Sequence, residues 1–359
     1  MSVYPSLRKR IGLKLFSELY RVLVAEHKLT TLFWECTLRC NLSCRHCGSD
    51  CRVAPELEDM PLEDFLKVLD EEITPNINPK ELLIILSGGE VLLREDLERA
   101  GSELAKRGYM WGMVTNGMAL TTSRLDSLLA SGLISISVSL DGFPDTHNHI
   151  RQHPLSYERA ISAIRNIVRR PQLTYDVITC VTSHLIPRLE EFKDMLIREG
   201  VTHWRIATIF PSGRAKEDSS LKLTNSEFRE VLDFIKATRK EGKIDVSYSC
   251  EGFLGNYESE VRDEFYQCAA GVNVASIRVD GSISGCTSIR SNFHQGNIYH
   301  DHFWDVWQNR FQPYRDREWA RKEQCAECKM FDYCQGGGMH LYDDDSHLAR
   351  CHYIQLCEE

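Results

Sequence analysis

The chain contains no stretch approaching the roughly 18 uninterrupted apolar residues of a membrane-spanning helix, so nothing in it is expected to cross a bilayer. It also lacks an excess of positive charge. Lys and Arg number 43 against 52 Asp and Glu, a formal net charge of −9. A basic footprint for phosphate backbones is therefore absent, and no nucleic-acid partner is expected. No signal peptide is visible. Arg8, Lys9, Arg10 and Lys14 lie near the start, but Lys14, Glu18 and Arg21 break the apolar run and no small-residue cleavage site follows. Low-complexity segments are missing too. These absences predict a cytoplasmic globular protein, and 359 residues fit one large α/β unit with a smaller appendage.

Cysteine is abundant. Of the 14, five lie between Cys36 and Cys51 and seven between Cys268 and Cys357. In a cytosolic chain such clustering points to metal rather than to disulfides.

From Thr30 onward, apolar β-branched runs alternate with helical ones. The strand-like runs are Thr31–Cys36, Leu82–Ser87, Met110–Thr115, Ile134–Leu140, Asp176–Thr182 and Trp204–Phe210. The helix-like runs are Leu62–Ile73, Glu95–Arg107, Ser123–Leu129, Tyr157–Arg169, Leu189–Arg198 and Asn225–Lys240. Six strand–helix units in order predict parallel strands with right-handed crossovers. They are too few for a complete eight-stranded barrel, so pattern alone allows an open doubly wound sheet or a partial barrel. Ahead of them, residues 4–28 predict a helix with Leu7, Ile11, Leu15, Leu19 and Val22 near one face. Its expected place is against the barrel bottom, docking on a membrane surface or a partner being the alternative. The alternation ends near Lys243, giving ranges of 1–29 for the helix, 30–240 for the α/β unit and 241–359 for a cysteine-rich C-terminal domain.

Cys40, Cys44 and Cys47 form a C-x3-C-x2-C loop directly after the first strand. Three thiolates at this spacing can hold three irons of a cubane and leave the fourth open to a small bidentate ligand. A zinc loop or buried thiols would be the plainer reading. Further polar signals close the next strands. Gly88, Gly89 and Glu90 follow the second, where glycine lets backbone approach a ligand and a carboxylate can meet an ammonium group. Asn116 lies in a Thr-Asn-Gly turn after the third strand. Ser139 and Asp141 belong to Ser-Leu-Asp-Gly after the fourth, with Arg151 soon after. Strand C-termini are where α/β sheets bind ligands.

These residues resemble the radical S-adenosylmethionine superfamily over residues 30–215 or so. The resemblance implies a partial (β/α)6 barrel. It implies a [4Fe–4S] cluster on Cys40, Cys44 and Cys47, and methionine-amino contacts at Gly88, Gly89 and Glu90. Ser139 and Asp141 match ribose contacts, Arg151 a methionine-carboxylate contact, and Phe210–Arg214 the sixth-strand end near adenine. His46 departs from the family's usual aromatic. The chemistry implied is reductive cleavage of S-adenosylmethionine to a 5′-deoxyadenosyl radical that takes hydrogen from a substrate, with a flavodoxin or ferredoxin as reductant. Cys36, Cys51 and Cys180 are expected to carry no ligand role.

In the C-terminal part, Cys268-x12-Gly281-x4-Cys286 precedes Cys325-x2-Cys328-x5-Cys334, then Cys351 and Cys357. This resembles the SPASM domain, which implies one or two auxiliary iron–sulfur clusters in peptide-modifying enzymes. The SPASM pattern sets a cysteine four residues after Cys334, where this chain has Gly338. The assignments left open are Cys325, Cys328 and Cys334 with Cys351 or Cys357 for one cluster, and Cys268 and Cys286 with Cys250 or Cys357 for the other. A rival places Cys268, Cys286, Cys325 and Cys328 around one cluster; a zinc ribbon on Cys325 and Cys328 is the bland reading. The resemblance favours a maturase acting on a peptide or protein side chain. A haem-modifying or other small-molecule enzyme is the alternative. Sulfatase maturation is disfavoured by Thr287, where that family has Asp. About 30 residues precede the first strand, too few for a separate leader-binding module, so a peptide would be recognised at the barrel mouth, by the C-terminal region or by another protein.

Overall fold

The computed structural model describes residues 3–52 and 55–358; the outermost residues 1, 2 and 359 of the expected domain ranges lie outside them. The six expected units are all present. They comprise β1 (Thr31–Thr37), β2 (Leu83–Gly88), β3 (Met110–Thr115), β4 (Leu133–Ser139), β5 (Thr174–Cys180) and β6 (His203–Ala207). The N-terminal helix is α1 (Leu7–Glu26), followed by α2 (Leu62–Val68), α3 (Leu97–Lys106) and α4 (Thr122–Ala130). Then come α5 (Pro144–Arg151), α6 (Ser156–Ile167), α7 (Leu189–Arg198) and α8 (Asn225–Glu241). A wider π turn prolongs α2 through Ile73, as the sequence predicts.

All six strands pair in parallel, in sequence order. Their side chains alternate. In β1, Leu32, Trp34 and Cys36 are fully buried beneath the helices, and Trp34 stacks on Phe65 of α2 with ring centroids 4.2 Å apart. The intervening Thr31 and Phe33 face an inner cavity. The helices answer with stripes at helical spacing, such as Leu97, Ala100, Gly101 and Leu104 of α3. The apolar core is thus the layer between sheet and helices, and the inner face mixes Phe33, Ile85, Val114 and Ile178 with Ser135, Ser137, Asp176 and Arg205.

The sheet does not stop where the strand–helix alternation was expected to end. After α8, closed by a Thr224–Glu227 capping box and Gly242, β7 (Asp245–Tyr248) pairs in parallel with β6. At the opposite edge β8 (Val274–Ile277) pairs in parallel with β1, and β9 (Ser282–Ser284) and β10 (Gly296–Asn297) continue antiparallel. The ten-stranded sheet runs β10-β9-β8-β1-β2-β3-β4-β5-β6-β7 and is not closed. This is a partial barrel, and the boundary expected near 240 falls within the sheet, between α8 and β7.

Two expectations need correction. α1 does not lie on the barrel bottom with its apolar stripe covered. Leu7, Ile11, Leu15, Leu19 and Val22 remain exposed. The face that packs carries Leu13, Phe16 and Tyr20 instead. It lies on the C-terminal region, where Phe16 meets Phe265, Tyr20 donates to the Cys268 carbonyl at 3.1 Å, and Lys9 pairs with Glu260 at 3.3 Å. α5 was not expected at all. Its sequence, Pro-Asp-Thr-His-Asn-His-Ile-Arg, has almost no apolar periodicity, but Pro144 sits in its first turn and Gln152 ends it in the left-handed region.

Glu35 of β1 joins barrel to C-terminal region. It is fully buried, accepts from Arg290 Nη2 at 2.5 Å and faces Arg278 Nε at 3.4 Å. Glu35→Ala would strand two guanidinium groups. It is expected to lower stability by about 3–5 kcal/mol, with Glu35→Gln costing less, in anaerobic urea unfolding.

Candidate active site

The cysteine loop hangs from the C-terminal end of β1. Its stem is gripped by the end of β2, where Gly89 N donates to the Thr37 carbonyl and Glu90 N to the Arg39 carbonyl, both at 2.8 Å. A Cβ on Gly88 would overlap the Thr37 oxygen, and one on Gly89 the Arg39 oxygen. The glycines, expected to admit a ligand, are thus required first by the approach of two backbone segments. The loop closes on itself through Cys40 N to the Arg52 carbonyl at 2.8 Å. From beyond β6, Arg214 donates through Nε to the Cys44 carbonyl at 2.8 Å and through Nη1 to the Cys51 carbonyl at 3.0 Å and Asp50 at 2.7 Å. The sequence offered Arg214 only as part of a strand-end resemblance; its clamp on the loop needs the tertiary structure.

Glu90 is fully buried. Its Oε1 accepts from Leu92 N at 3.1 Å and Thr115 Oγ1 at 2.7 Å, and its Oε2 from Asn116 N at 2.7 Å. Burial pushes the carboxyl above its ordinary value, against the pull of these donors. Asn116 relays the contact, donating to Asn41 Oδ1 at 2.8 Å with Cys40 Sγ at 3.9 Å from the same nitrogen. Cys40 and Cys44 are buried and Cys47 half-buried, packed together with Leu42 and Cys51. Burial pushes the Cys40 thiol up to about 11, whereas the Cys51 thiol beside it holds Cys47 down at about 5. Cys51, expected to be a near-cluster thiol without a ligand role, packs beside the loop cysteines and points its Sγ at the Ser49 carbonyl at 3.9 Å.

Asp141 is fully buried as well, and is an ion-pair partner before it is a ligand contact. It accepts from Arg151 Nε at 2.6 Å and from Cys180 N at 2.9 Å, with His46 Nε2 3.7 Å away. Burial raises its pKa, and Arg151, His46 and His147 more than reverse this, holding the carboxyl well below its usual range. Burial pushes His46 down to about 4 and His147 to about 3. The other end of the Arg151 guanidinium lies 3.9 Å from Cys44 Sγ. Ser139 ends β4 half-buried on the same side of the strand as Ser135 and Ser137. Cys180, read as a core residue, stands beside His46 and Asp141, their ligating atoms within 4.8 Å of one another.

A cavity of about 690 Å³ runs from the loop at Gly48 and Ser49, past Ser135, Ser137, Asp176 and Arg205, to the C-terminal cysteines. Those cysteines form two groups. Cys250, Cys268 and Cys286 face the cavity, and burial first, then Cys250 and Cys268, push the Cys286 thiol up to about 11. Cys325, Cys328, Cys334 and Cys351 line a second, smaller space. Cys268 also packs, with Cys328, against the small cluster of Leu13, Phe253, Tyr266 and Met330, so the two groups adjoin where the rival grouping of Cys268 and Cys286 with Cys325 and Cys328 would join them. Cys357, expected as a ligand, is exposed at the end of a short terminal helix, His352–Cys357. Cys40, Cys44 and Cys47 lie together at the end of β1, a donor set of the kind that three irons of a cubane take.

The radical SAM superfamily model matches residues 34–196, and a model described as an iron-sulfur cluster-binding domain, SPASM, matches residues 268–329. The chain thus carries a radical SAM domain followed by a SPASM domain. Among its relatives, the AdoMet-dependent heme synthase of Methanosarcina barkeri is 24% identical over 86% of this chain and 91% of its own. Mycofactocin maturase MftC of Mycolicibacterium smegmatis is 28% identical over 86% of this chain and 77% of its own. In solved structures the fold is similar to native anSMEcpe with bound AdoMet, at a TM-score of 0.71 and 19% identity over 92% of this chain and 94% of that one. It is also similar to Streptococcus suis SuiB bound to precursor peptide SuiA, at 0.68 and 17% over 88% and 73%. The radical SAM–SPASM chain is an enzyme whose cofactors are a [4Fe–4S] cluster, auxiliary iron–sulfur clusters and S-adenosylmethionine.

Removing Arg151 leaves Asp141 buried and uncompensated. Arg151→Ala is expected to lose about 3–5 kcal/mol in anaerobic unfolding, and adding Asp141→Asn to recover part of it. A loss in the double variant equal to the sum of the Arg151→Ala and Asp141→Asn losses would mean the pair is not coupled.

Proposed function

We propose that this chain is a maturase. It binds S-adenosylmethionine at the open iron of a cluster on Cys40, Cys44 and Cys47 and modifies a peptide or protein side chain in the 690 Å³ cavity. When bound, the cluster and S-adenosylmethionine supply a 5′-deoxyadenosyl radical that abstracts hydrogen. The chain's own residues bind and orient. Glu90 Oε2, with one protein donor, retains a lone pair for an ammonium group. Arg151, fixed by Asp141 and next to Cys44, places positive charge where a carboxylate would lie. Ser139 and Asn116 complete the rim at the ends of β4 and β3. A flavodoxin or ferredoxin is the reductant. We divide the molecule at about residue 240 into a radical SAM barrel and an auxiliary-cluster region that share one sheet.

The observation that carries the peptide reading is the polar cavity floor. Ser137 Oγ donates to Asp176, which pairs with Arg205 at 2.7 Å. Set among the apolar side chains of Phe33, Ile85, Val114 and Ile178, this polar patch offers donors and acceptors to peptide groups. The likeness to a mycofactocin maturase and to a fold with a precursor peptide bound agrees with it. Addition of a peptide to the β7 edge finds no support. Val246 O already accepts from Arg239 and Tyr248 N donates to the Val261 carbonyl, both at 2.7 Å. A peptide would enter the cavity instead. A tetrapyrrole remains the second reading because of the heme synthase relative.

Reconstituted protein with a strong reductant should form 5′-deoxyadenosine, and replacing Cys40, Cys44 and Cys47 together by Ala should abolish it with loss of about four irons. Co-expression with candidate small peptides should yield a peptide of altered mass. A stoichiometric porphyrinoid complex that turns over, with no peptide changed, would replace the maturase reading by the tetrapyrrole one.

A further inference from the structure

The SPASM pattern leaves one position of the first auxiliary cluster without a ligand here, because Gly338 stands where a cysteine is expected. The structure fills that position from elsewhere. A Cβ built on Gly338 would lie 2.6 Å from His340 Cε1, 2.9 Å from its Nδ1 and 2.9 Å from the Glu251 carbonyl oxygen. The imidazole of His340 thus takes the volume a side chain at 338 would enter. That imidazole lines the same cavity as Cys250, Cys268 and Cys286, and its Nε2 is buried with no hydrogen-bond partner. A buried ring nitrogen left unpaired is costly, and a metal bond is one of the few ways to satisfy it.

Cys250 is held in place with equal definition. It follows β7 in a turn that Ser249 N fixes to the Ile206 carbonyl at 2.9 Å. The next residue, Glu251, is buried and accepts from Thr208 N at 2.8 Å and Tyr248 OH at 2.7 Å, with His352 Nε2 at 3.5 Å. This anchor presents the Cys250 thiol to the cavity alongside Cys268 and Cys286. We propose that the first auxiliary cluster is held by Cys250, Cys268 and Cys286, with the His340 imidazole as ligand to its fourth iron in place of the thiolate expected at position 338. The inference rests on the SPASM reading of the C-terminal region. A neutral imidazole in place of a thiolate makes the cluster less negative and raises its potential, as histidine ligation does in Rieske centres.

The test uses the full chain with Cys40, Cys44 and Cys47 replaced by Ala, so that only C-terminal iron is counted. The reduced protein should show nitrogen hyperfine coupling by pulsed EPR, and labelling with 15N-histidine should shift it. His340→Ala should keep its iron and lose the coupling; His340→Cys should lower the midpoint potential. Cys250→Ala should lose about four irons, one cubane's worth. Absent nitrogen coupling in the labelled parent overturns the histidine assignment without any further substitution. Unchanged iron in Cys250→Ala overturns the Cys250 assignment. A parent that binds no iron, or zinc alone, overturns the SPASM reading itself, so the two failures are told apart.

Discussion

Three strand ends meet at Glu90, and the cysteine loop has its shape because of that meeting. The backbone of residues 88–90 lies so close to the Thr37 and Arg39 carbonyls that glycine is needed twice. The Glu90 carboxylate then reaches across to Thr115 and Asn116, and Asn116 reaches back to Asn41 beside Cys40. A carboxylate buried with three donors is a rigid joint, since each donor would be left unsatisfied in any other arrangement. Arg214 and Arg151 complete the setting from the far side of the barrel. The loop itself contains little regular structure. Its order comes from the ends of β1, β2 and β3 and from two guanidinium groups.

What the sequence reveals depends on how local the determinant is. The C-x3-C-x2-C spacing and the six strand–helix units are short-range patterns, and the strands and helices lie within a few residues of the runs that predict them. Residues whose partners are distant were not legible. Cys250, 18 residues before Cys268, could be named from sequence only as an alternative to Cys357, and it is β7 that places it at the cavity. β7 and β8, four residues each, are too short for a periodic signal, yet they extend both edges of the parallel sheet. The stripe on α1 shows why amphipathicity alone misleads: Leu7, Ile11 and Leu15 form the more regular apolar face, but Phe265 and Tyr266 cover the face of Leu13 and Tyr20. The glycines at 88 and 89 were found from sequence as a place for a ligand to approach, and the structure adds a second requirement, the nearness of the Thr37 and Arg39 carbonyls.

The barrel interior is unusual in carrying charge that is almost all compensated. Asp141 with Arg151, Glu35 with Arg290 and Arg278, and Asp176 with Arg205 all stand on or near inward-facing strand positions. Each charged group in such a place needs its partner, because desolvation would otherwise dominate. The result is a set of fixed dipoles around a cavity, oriented before any ligand arrives, which is the arrangement that polar chemistry in a dry site favours.

The pairing of β8 with β1 has a consequence for how the chain comes into being. β1 begins at Thr31 and β8 at Val274. At synthesis rates of about 5–20 residues per second, roughly 10–50 s separate their emergence. Throughout that interval β1 has one edge without a neighbour, and an unpaired apolar edge is a template for association with other chains. The strand waiting for its neighbour is also the one from which the Cys40–Cys47 loop hangs. A nascent chain arrested before residue 274 would therefore hold its metal-binding loop on an unfinished sheet, and final maturation of the N-terminal half must await translation of the C-terminal third.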